Sequence, residues 1–227
     1  MDCLSVSRSV DVRAGGRRIV PTTMDHGIPS ARDRILEAAR ELFLTKGYNG
    51  SNLRDIAGRA RVSMGGIYHH FSSKEQIYES VLGSMRFGNE LPRMVALYGS
   101  PDFPDNLPDI GRAIFDLARR CQDDFKLIYI DILEFQGRHV KPLVAPLRAT
   151  LGSATAALLA ERHARGEVAQ VHSTVVARSI VGLFLYFYLE DVMLEMSASD
   201  EAGIDDDEIA EQMADLLLHG LLRSGGT

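Results

Sequence analysis

Ser51-Asn52-Leu53-Arg54-Asp55-Ile56-Ala57-Gly58-Arg59-Ala60-Arg61-Val62-Ser63-Met64-Gly65-Gly66-Ile67-Tyr68-His69-His70-Phe71 is the stretch that decides how the chain is read. Leu53, Ile56, Ala57 and Ala60 recur at helical spacing behind Ser51, a residue type that caps helix N-termini, so the spacing predicts a short amphipathic helix. A second helix follows, opened by Ser63 and carrying Ile67 and Phe71 as an i, i+4 apolar stripe. Only Arg61 and Val62 remain for the turn, and the small Ala57 lies where the two helices must cross. Two short helices joined this tightly read as a helix-turn-helix.

Such a unit suits DNA for a steric reason. The B-form major groove admits one α-helix, and only side chains on its outward face reach the base edges. Here that face is Ser63, Met64, Gly65, Gly66, Tyr68 and His69. Three of these are very small, which favours close approach of the backbone over reading by long side chains. Tyr68, His69 and Lys74 suit phosphate contacts, which fix register rather than sequence. Ser51 offers the N–H groups of a helix N-terminus to another phosphate. Arg54 and Arg61 complete the DNA-binding candidates.

Taken from Ile35-Leu36-Glu37-Ala38-Ala39-Arg40-Glu41-Leu42-Phe43 through Gly47-Tyr48, Ile56-Ala57, Val62-Ser63, Ile67-Tyr68, Phe71 and Lys74-Glu75, the chain resembles the N-terminal DNA-binding domain of the TetR/AcrR family of transcriptional regulators. One departure stands out. Many family members carry Gly at the turn position held here by Arg61, where a positive φ is convenient, and a non-Gly residue there costs on the order of 1 kcal/mol. The resemblance implies an all-α protein, with a three-helix head and a larger C-terminal body that binds a small-molecule effector and dimerises. It also implies a homodimer whose last two helices form a four-helix bundle, setting two recognition helices about 34–36 Å apart on double-stranded operator DNA. Most proteins of this kind are repressors.

Composition agrees with a helical, intracellular protein. A chain of 227 residues is long enough to bury a substantial core. It has no Trp, and its two cysteines, Cys3 and Cys121, are too few for a disulfide framework, so a reducing cytoplasm is expected. The net charge of −6 divides unevenly: residues 1–79 hold 12 Lys/Arg against 9 Asp/Glu, a balance of +3, which leaves −9 for the remainder. A basic head on an acidic body fits a protein that meets DNA at one end.

Three segments follow from punctuation and periodicity: a disordered arm over 1–29, the helix-turn-helix domain over 30–76, and an effector-binding and dimerisation domain over 77–227. The arm carries Arg8, Arg13, Arg17 and Arg18 with Gly and Pro breaks; it reads either as a mobile tail or as a basic arm for the DNA backbone or minor groove. Ser30 with Asp33 starts the first helix as a capping box, Ile35, Ala38, Ala39, Leu42 and Phe43 make its apolar face, and Gly47 stops it. Ser73 with Gln76, or Ser72 with Glu75, caps a fourth helix carrying Ile77, Val81, Leu82 and Met85, the natural mechanical link between head and body. Lys74 lies in its first turn, where a cation opposes the helix dipole unless a phosphate is near. Pro101, Pro104 and Pro108 break the chain, and further helices are expected over 110–121, over 125–138, after Pro146 and up to Gly166.

Ile180 to Leu189 is a run of ten apolar residues, half of what a membrane span needs, so burial in protein is expected and no membrane partner. Asp205 to Glu208 caps a final helix. Val181, Leu185, Val192, Met213, Leu217 and Leu221 are the expected dimer contacts. Phe115, Arg119, Phe125, Tyr129, Asp131, Glu134, Arg138, Phe184, Phe187 and Tyr188 are the effector-pocket candidates, with Asp131 and Glu134 favouring a cationic ligand. Each has an ordinary alternative: aromatic clusters are usually core, and Glu134 and Arg138 stand at i, i+4, where they can pair with each other.

No catalytic residue, metal site or cofactor is expected. The chain has no Gly-rich phosphate loop, nucleophile elbow or His-Glu-x-x-His pattern, and His69 and His70 are adjacent on a helix, where they do not face one ligand. The alternative to a regulator is an all-helical small-molecule-binding or interaction protein that has lost specific DNA binding.

Overall fold

Ser30 begins the ordered head as its sequence requires. Its hydroxyl accepts the Asp33 N–H at 3.1 Å and the Asp33 carboxylate accepts the Ser30 N–H at 3.3 Å, a reciprocal capping box. The computed structural model describes residues 29–168, 170–194 and 196–219, apart from a few side chains within its helices. Nearly all of the arm expected over 1–29 lies outside the described residues, as does Leu221.

The head runs through α1 (Ala31–Lys46), α2 (Leu53–Ala60), α3 (Met64–His70) and α4 (Lys74–Gly83). Ile35, Ala39, Phe43, Ile56, Ile67, Ile77 and Tyr78 are fully buried together. The same apolar cluster continues into Leu127 and Val140 of the body, so head and body share one core at the junction. The turn between α2 and α3 closes through Arg61 at φ 55°, ψ 47°, the left-handed conformation, with the Val62 N–H donating to Ala57 O at 3.0 Å. An Arg thus occupies the conformation that glycine adopts without penalty.

The link to the body is two helices, where the sequence had been read as one. α4 stops at Gly83, Ser84 caps it by donating its N–H to Val81 O, and α5 (Phe87–Tyr98) follows at once. The body then runs through α6 (Leu107–Arg120), α7 (Gln122–Phe135), α8 (Val140–Ala164), α9 (Ser173–Leu194), α10 (Ala198–Ala202) and α11 (Asp206–His219); the described residues contain no strand. Pro142 and Pro146 do not delay α8, which already begins at Val140 and carries Pro146 inside it.

α6 is the central helix of the body, packed by α9 on one side and α11 on another. Ile110, Ile114 and Ala118 of α6 meet Ile180, Phe184 and Tyr188 of α9 and Ala210 and Met213 of α11, all nearly fully buried. Gly111 permits the closest crossing: a Cβ there would lie 2.5 Å from Phe184 Cε1. α8 and α9 are long and apolar enough to cross a membrane by length and composition alone. Here they pack on each other, and α9 also packs on α6.

Candidate nucleic-acid interface and the cavity behind it

α3 is capped by Ser63, whose hydroxyl accepts the Gly66 N–H at 3.1 Å. Ile67 and the following Phe71 point into the head, which fixes the opposite side of the helix as the outward one. Ser63, Gly65, Tyr68 and His69 are exposed there, with Met64 and Gly66 half-buried beside them. Tyr68 is 57% exposed, a large aromatic that a folded head leaves in water. Arg54 on α2 and Arg61 in the turn are exposed on the head, and neither is held in an ion pair among the described residues. Arg32, which the sequence reading passed over, sits with its guanidinium 5.3 Å from the Phe71 ring centre, adding a cation beside the C-terminal end of α3. The only sequence signal for it was its place in the first turn of α1.

Two of the DNA-binding candidates lie behind this face. Ser51 is buried, and its hydroxyl donates to Leu42 O at 3.1 Å and Gly47 O at 2.7 Å. Asn52, one residue on, is the true cap of α2, accepting the Asp55 N–H at 2.9 Å. Lys74 donates to Tyr48 O and Ser51 O, each at 2.8 Å, and lies 4.0 Å from the Tyr48 ring centre. Its unfavourable place at a helix N-terminus is thus offset by two carbonyls and a π face, and burial pushes its ammonium below the usual lysine range. Lys74 fastens the α1–α2 loop to α4.

A set of charged residues joins head to body. Arg40 meets the buried Asp124 at 2.6 Å, and Tyr78 donates its hydroxyl to Leu127 O at 2.8 Å. Glu134 of α7 accepts the backbone N–H groups of Tyr48 at 3.1 Å and Asn49 at 2.8 Å. Arg138 pairs with Glu75 at 3.1 Å. Asp131, fully buried, holds His139 Nδ1 at 2.7 Å and the Val140 N–H at 3.0 Å. Asp131, Glu134 and Arg138 were expected in the effector pocket, and the structure places all three in this junction instead. Glu134 and Arg138 do not stand on one helix, because α7 ends at Phe135 and Arg138 falls in the turn beyond it, and both meet the head rather than each other.

The pocket itself is a cavity of about 930 Å³ between α6, α7, α8 and α9. Of the ten candidates only Phe125 and Tyr129 line it. Phe115, Phe184 and Tyr188 pack with one another in the α6–α9 core, with Phe187 against them, and Arg119 forms an ion pair with Asp206 at its rim. The lining is apolar, from Met94, Ile114, Ile128, Val144, Leu147 and Leu189 among others, and it includes no acidic residue. Its charges are Lys141, Arg148 and Arg178, all exposed and none in an ion pair among the described residues.

The dimer candidates are likewise redistributed. Val181 and Leu185 line the cavity, Met213 is buried against α6 and Leu217 is half-buried on the same core, while the Val192 side chain is outside what is described. The large apolar residues left in water on α9 and α11, among those described, are others: Val175, Leu183, Tyr186, Met193, Leu194, Leu216 and Leu218.

Comparison with known proteins agrees with this geometry. Residues 35–81 match the family described as bacterial regulatory proteins, tetR family. The repressor BepR of Brucella suis is 46% identical over 59 residues, 26% of this chain and 28% of BepR, so the match spans little more than a quarter of that relative. A transcriptional regulator of the TetR/AcrR family from Thermobifida fusca superposes with a TM-score of 0.54 at 28% identity, over 85% of this chain and 98% of that one. The transcriptional regulator FadR of Bacillus subtilis, solved in complex with stearoyl-CoA, has a TM-score of 0.54 at 21% identity, over 83% of this chain and 98% of its own. With a capped recognition helix turned outward, an αL turn before it and an all-helical body enclosing a cavity, the chain carries over residues 35–81 a helix-turn-helix domain of the tetR family of bacterial regulatory proteins, and it shares its fold with a solved regulator of the TetR/AcrR family.

Proposed function

We propose that the chain is a dimeric, one-component repressor that leaves its operator when an apolar, anion-headed small molecule enters the body. The outward face of α3 supports the DNA half: Ser63, Gly65, Tyr68 and His69 stand in water while Ile67 and Phe71 hold the helix from behind. Gly65 and Gly66 leave that face shallow, so the backbone approaches the groove closely and Arg54, Arg61, Tyr68 and His69 hold its edges. Exposed Tyr186, Leu183 and Met193 of α9 with Leu216 of α11 supply the surface for a second copy, which sets two heads on one face of a duplex. A cytoplasmic location follows from the DNA partner.

The effector class rests on one observation, the apolar cavity whose charged residues, among those described, are three cations without an ion pair and no acid. A ligand with an acyl chain and a phosphate-bearing or carboxylate head satisfies both parts, whereas the cationic ligand suggested by Asp131 and Glu134 loses its basis once those residues belong to the junction. Bacillus subtilis FadR, which shares the fold, was solved with a molecule of this kind. Burial is worth about 0.8 kcal/mol per CH₂, so affinity in an acyl-CoA series rises about fourfold per methylene while the chain still fits.

The test is fluorescence anisotropy of full-length protein on the DNA upstream of its own coding region, with stearoyl-CoA added. Salt-dependent binding that stearoyl-CoA reverses, with reversal weakened tenfold or more in an Arg148→Ala/Arg178→Ala double variant, supports the reading. DNA affinity no better than for unrelated sequence favours a binding protein without an operator. Release unaffected by the double variant refutes the anion site.

A further inference from the structure

The junction between α4 and the α7–α8 turn contains a histidine whose two nitrogens both face carboxylates. His139 has a side chain only 6% exposed, and its Nδ1 lies 2.7 Å from Asp131 Oδ1. Asp131 is fully buried, and its other oxygen is occupied by the Val140 N–H at 3.0 Å, so the carboxylate is fixed and only accepts. Nδ1 therefore donates to Asp131, which leaves Nε2 as the ring nitrogen that a metal can use. Nε2 meets Glu75 Oε1 at 3.1 Å and Glu79 Oε1 at 3.6 Å. Glu75 and Glu79 are i, i+4 on α4 and so reach to the same side. Three ligand atoms thus converge on one point, where the two carboxylates call for a positive charge, which a proton on Nε2 or a metal ion supplies.

The dimensions suit a metal. In a tetrahedral site with bonds of about 2.0–2.2 Å, neighbouring ligand atoms lie about 3.3–3.6 Å apart. The observed 3.1 and 3.6 Å bracket that spacing, and all three ligand atoms lie within 4.8 Å of one another. One imidazole and two carboxylates suit a borderline divalent ion, whereas Ca²⁺ takes six or more oxygens. Asp131 is placed as the outer carboxylate that sets the tautomer and rotation of a metal-ligating histidine. Arg138 Nη1 shares Glu75 Oε1 at 3.1 Å, so on metal binding it moves to the other oxygen of the same carboxylate.

We propose that Glu75, Glu79 and His139 form a binding site for a Zn²⁺-class divalent cation, with water completing the coordination, that fastens α4 to the α7–α8 turn. The position gives the site consequences at both ends. α4 begins at Lys74, which holds the α1–α2 loop of the head. Gln136, Gly137, Val140 and Lys141, which flank His139, line the effector cavity. A cation here stiffens the connection between cavity and recognition helix. The binding claim stands without the regulator reading, while its effect on DNA release rests on it.

The experiment is isothermal titration of chelator-stripped full-length protein with ZnCl₂, alongside thermal melts and Co²⁺ absorption spectra. One zinc per chain, a raised melting temperature and the visible bands of low-symmetry four-coordinate Co²⁺ are expected. Glu79 is 55% exposed at its side chain and among the described residues its only ion-pair contact is with His139, so Glu79→Gln leaves the metal-free melting temperature unchanged while weakening zinc binding tenfold or more. No heat and no melting shift with zinc overturns the site. So does undiminished binding by Glu79→Gln, which would place the zinc elsewhere. Zinc bound as described but without effect on the stearoyl-CoA concentration needed for DNA release overturns the coupling alone.

Discussion

Replacing Glu134 with Ala separates two roles for one carboxylate. In the structure it accepts Tyr48 N–H at 3.1 Å and Asn49 N–H at 2.8 Å, so α7 caps the α1–α2 loop of the head. The fit is tight: a Cβ on Gly47, at φ 71°, would stand 2.9 Å from Glu134 Oε1. Hydrogen bonds to a charged group contribute about 1.5–3 kcal/mol each, and the partial exposure of this pair reduces the two together to about 2 kcal/mol. For a chain of this size that corresponds to a melting temperature lower by about 4–8 °C. Calorimetry of the full-length protein reads this directly, and stearoyl-CoA titration on the same sample reads the pocket. The junction role requires the lower melting temperature, a stearoyl-CoA affinity within about threefold of the parent, and a weaker response of DNA binding to the ligand, since the loop that links them is loosened. An unchanged melt together with a tenfold loss of stearoyl-CoA affinity would place Glu134 in the pocket and refute the reasoning.

Three further outcomes follow from the packing and charges. Gly111→Val drives a branched side chain into Phe184 and costs about 1–3 kcal/mol, seen as a lower denaturation midpoint; an unchanged midpoint would show that α6 and α9 do not cross so closely. Arg54→Ala reduces the slope of log affinity against log salt by about 1 with little change in operator preference, and an unaltered slope would remove Arg54 from the phosphate backbone. Asp206 is pushed up by burial, but hydrogen bonds from Ser199 and Arg119 outweigh this and hold its carboxyl below the usual range. A depressed folded value stabilises the protein above the unfolded pKa and is lost as pH falls through the folded one. Asp206→Asn is therefore less stable than the parent at neutral pH and converges with it in strong acid; a constant difference across that range would contradict the assignment.

The head was legible because its information is local. Caps at Ser30, Ser63 and Ser73, the apolar spacing of Ile56, Ala57, Ile67 and Phe71, and the two-residue turn are all specified within a few positions, and local geometry follows from local chemistry. The body's helices were legible for the same reason, although the stop at Gly83 was missed because Met85 continued the apolar pattern beyond it. The pocket was not legible. Candidates were chosen by side-chain chemistry, and chemistry alone does not separate a cavity wall from a junction or a core. Phe115 and Phe125 stand ten positions apart as similar aromatics, yet one packs against α9 and the other borders open space.

The amino-acid sequence by itself determined an all-helical chain with an outward recognition helix, because periodicity and capping fix which side of each short helix is apolar. Tertiary structure decided what the polar residues do. Lys74 turned from a phosphate to two carbonyls, Glu134 from a ligand to the head, and Glu75, Glu79 and His139 came together across 64 positions of sequence. The physical reason is that an apolar residue needs only burial against any apolar neighbour, whereas a charge needs a partner at a particular distance and angle, and that partner is supplied by whichever element the fold brings alongside.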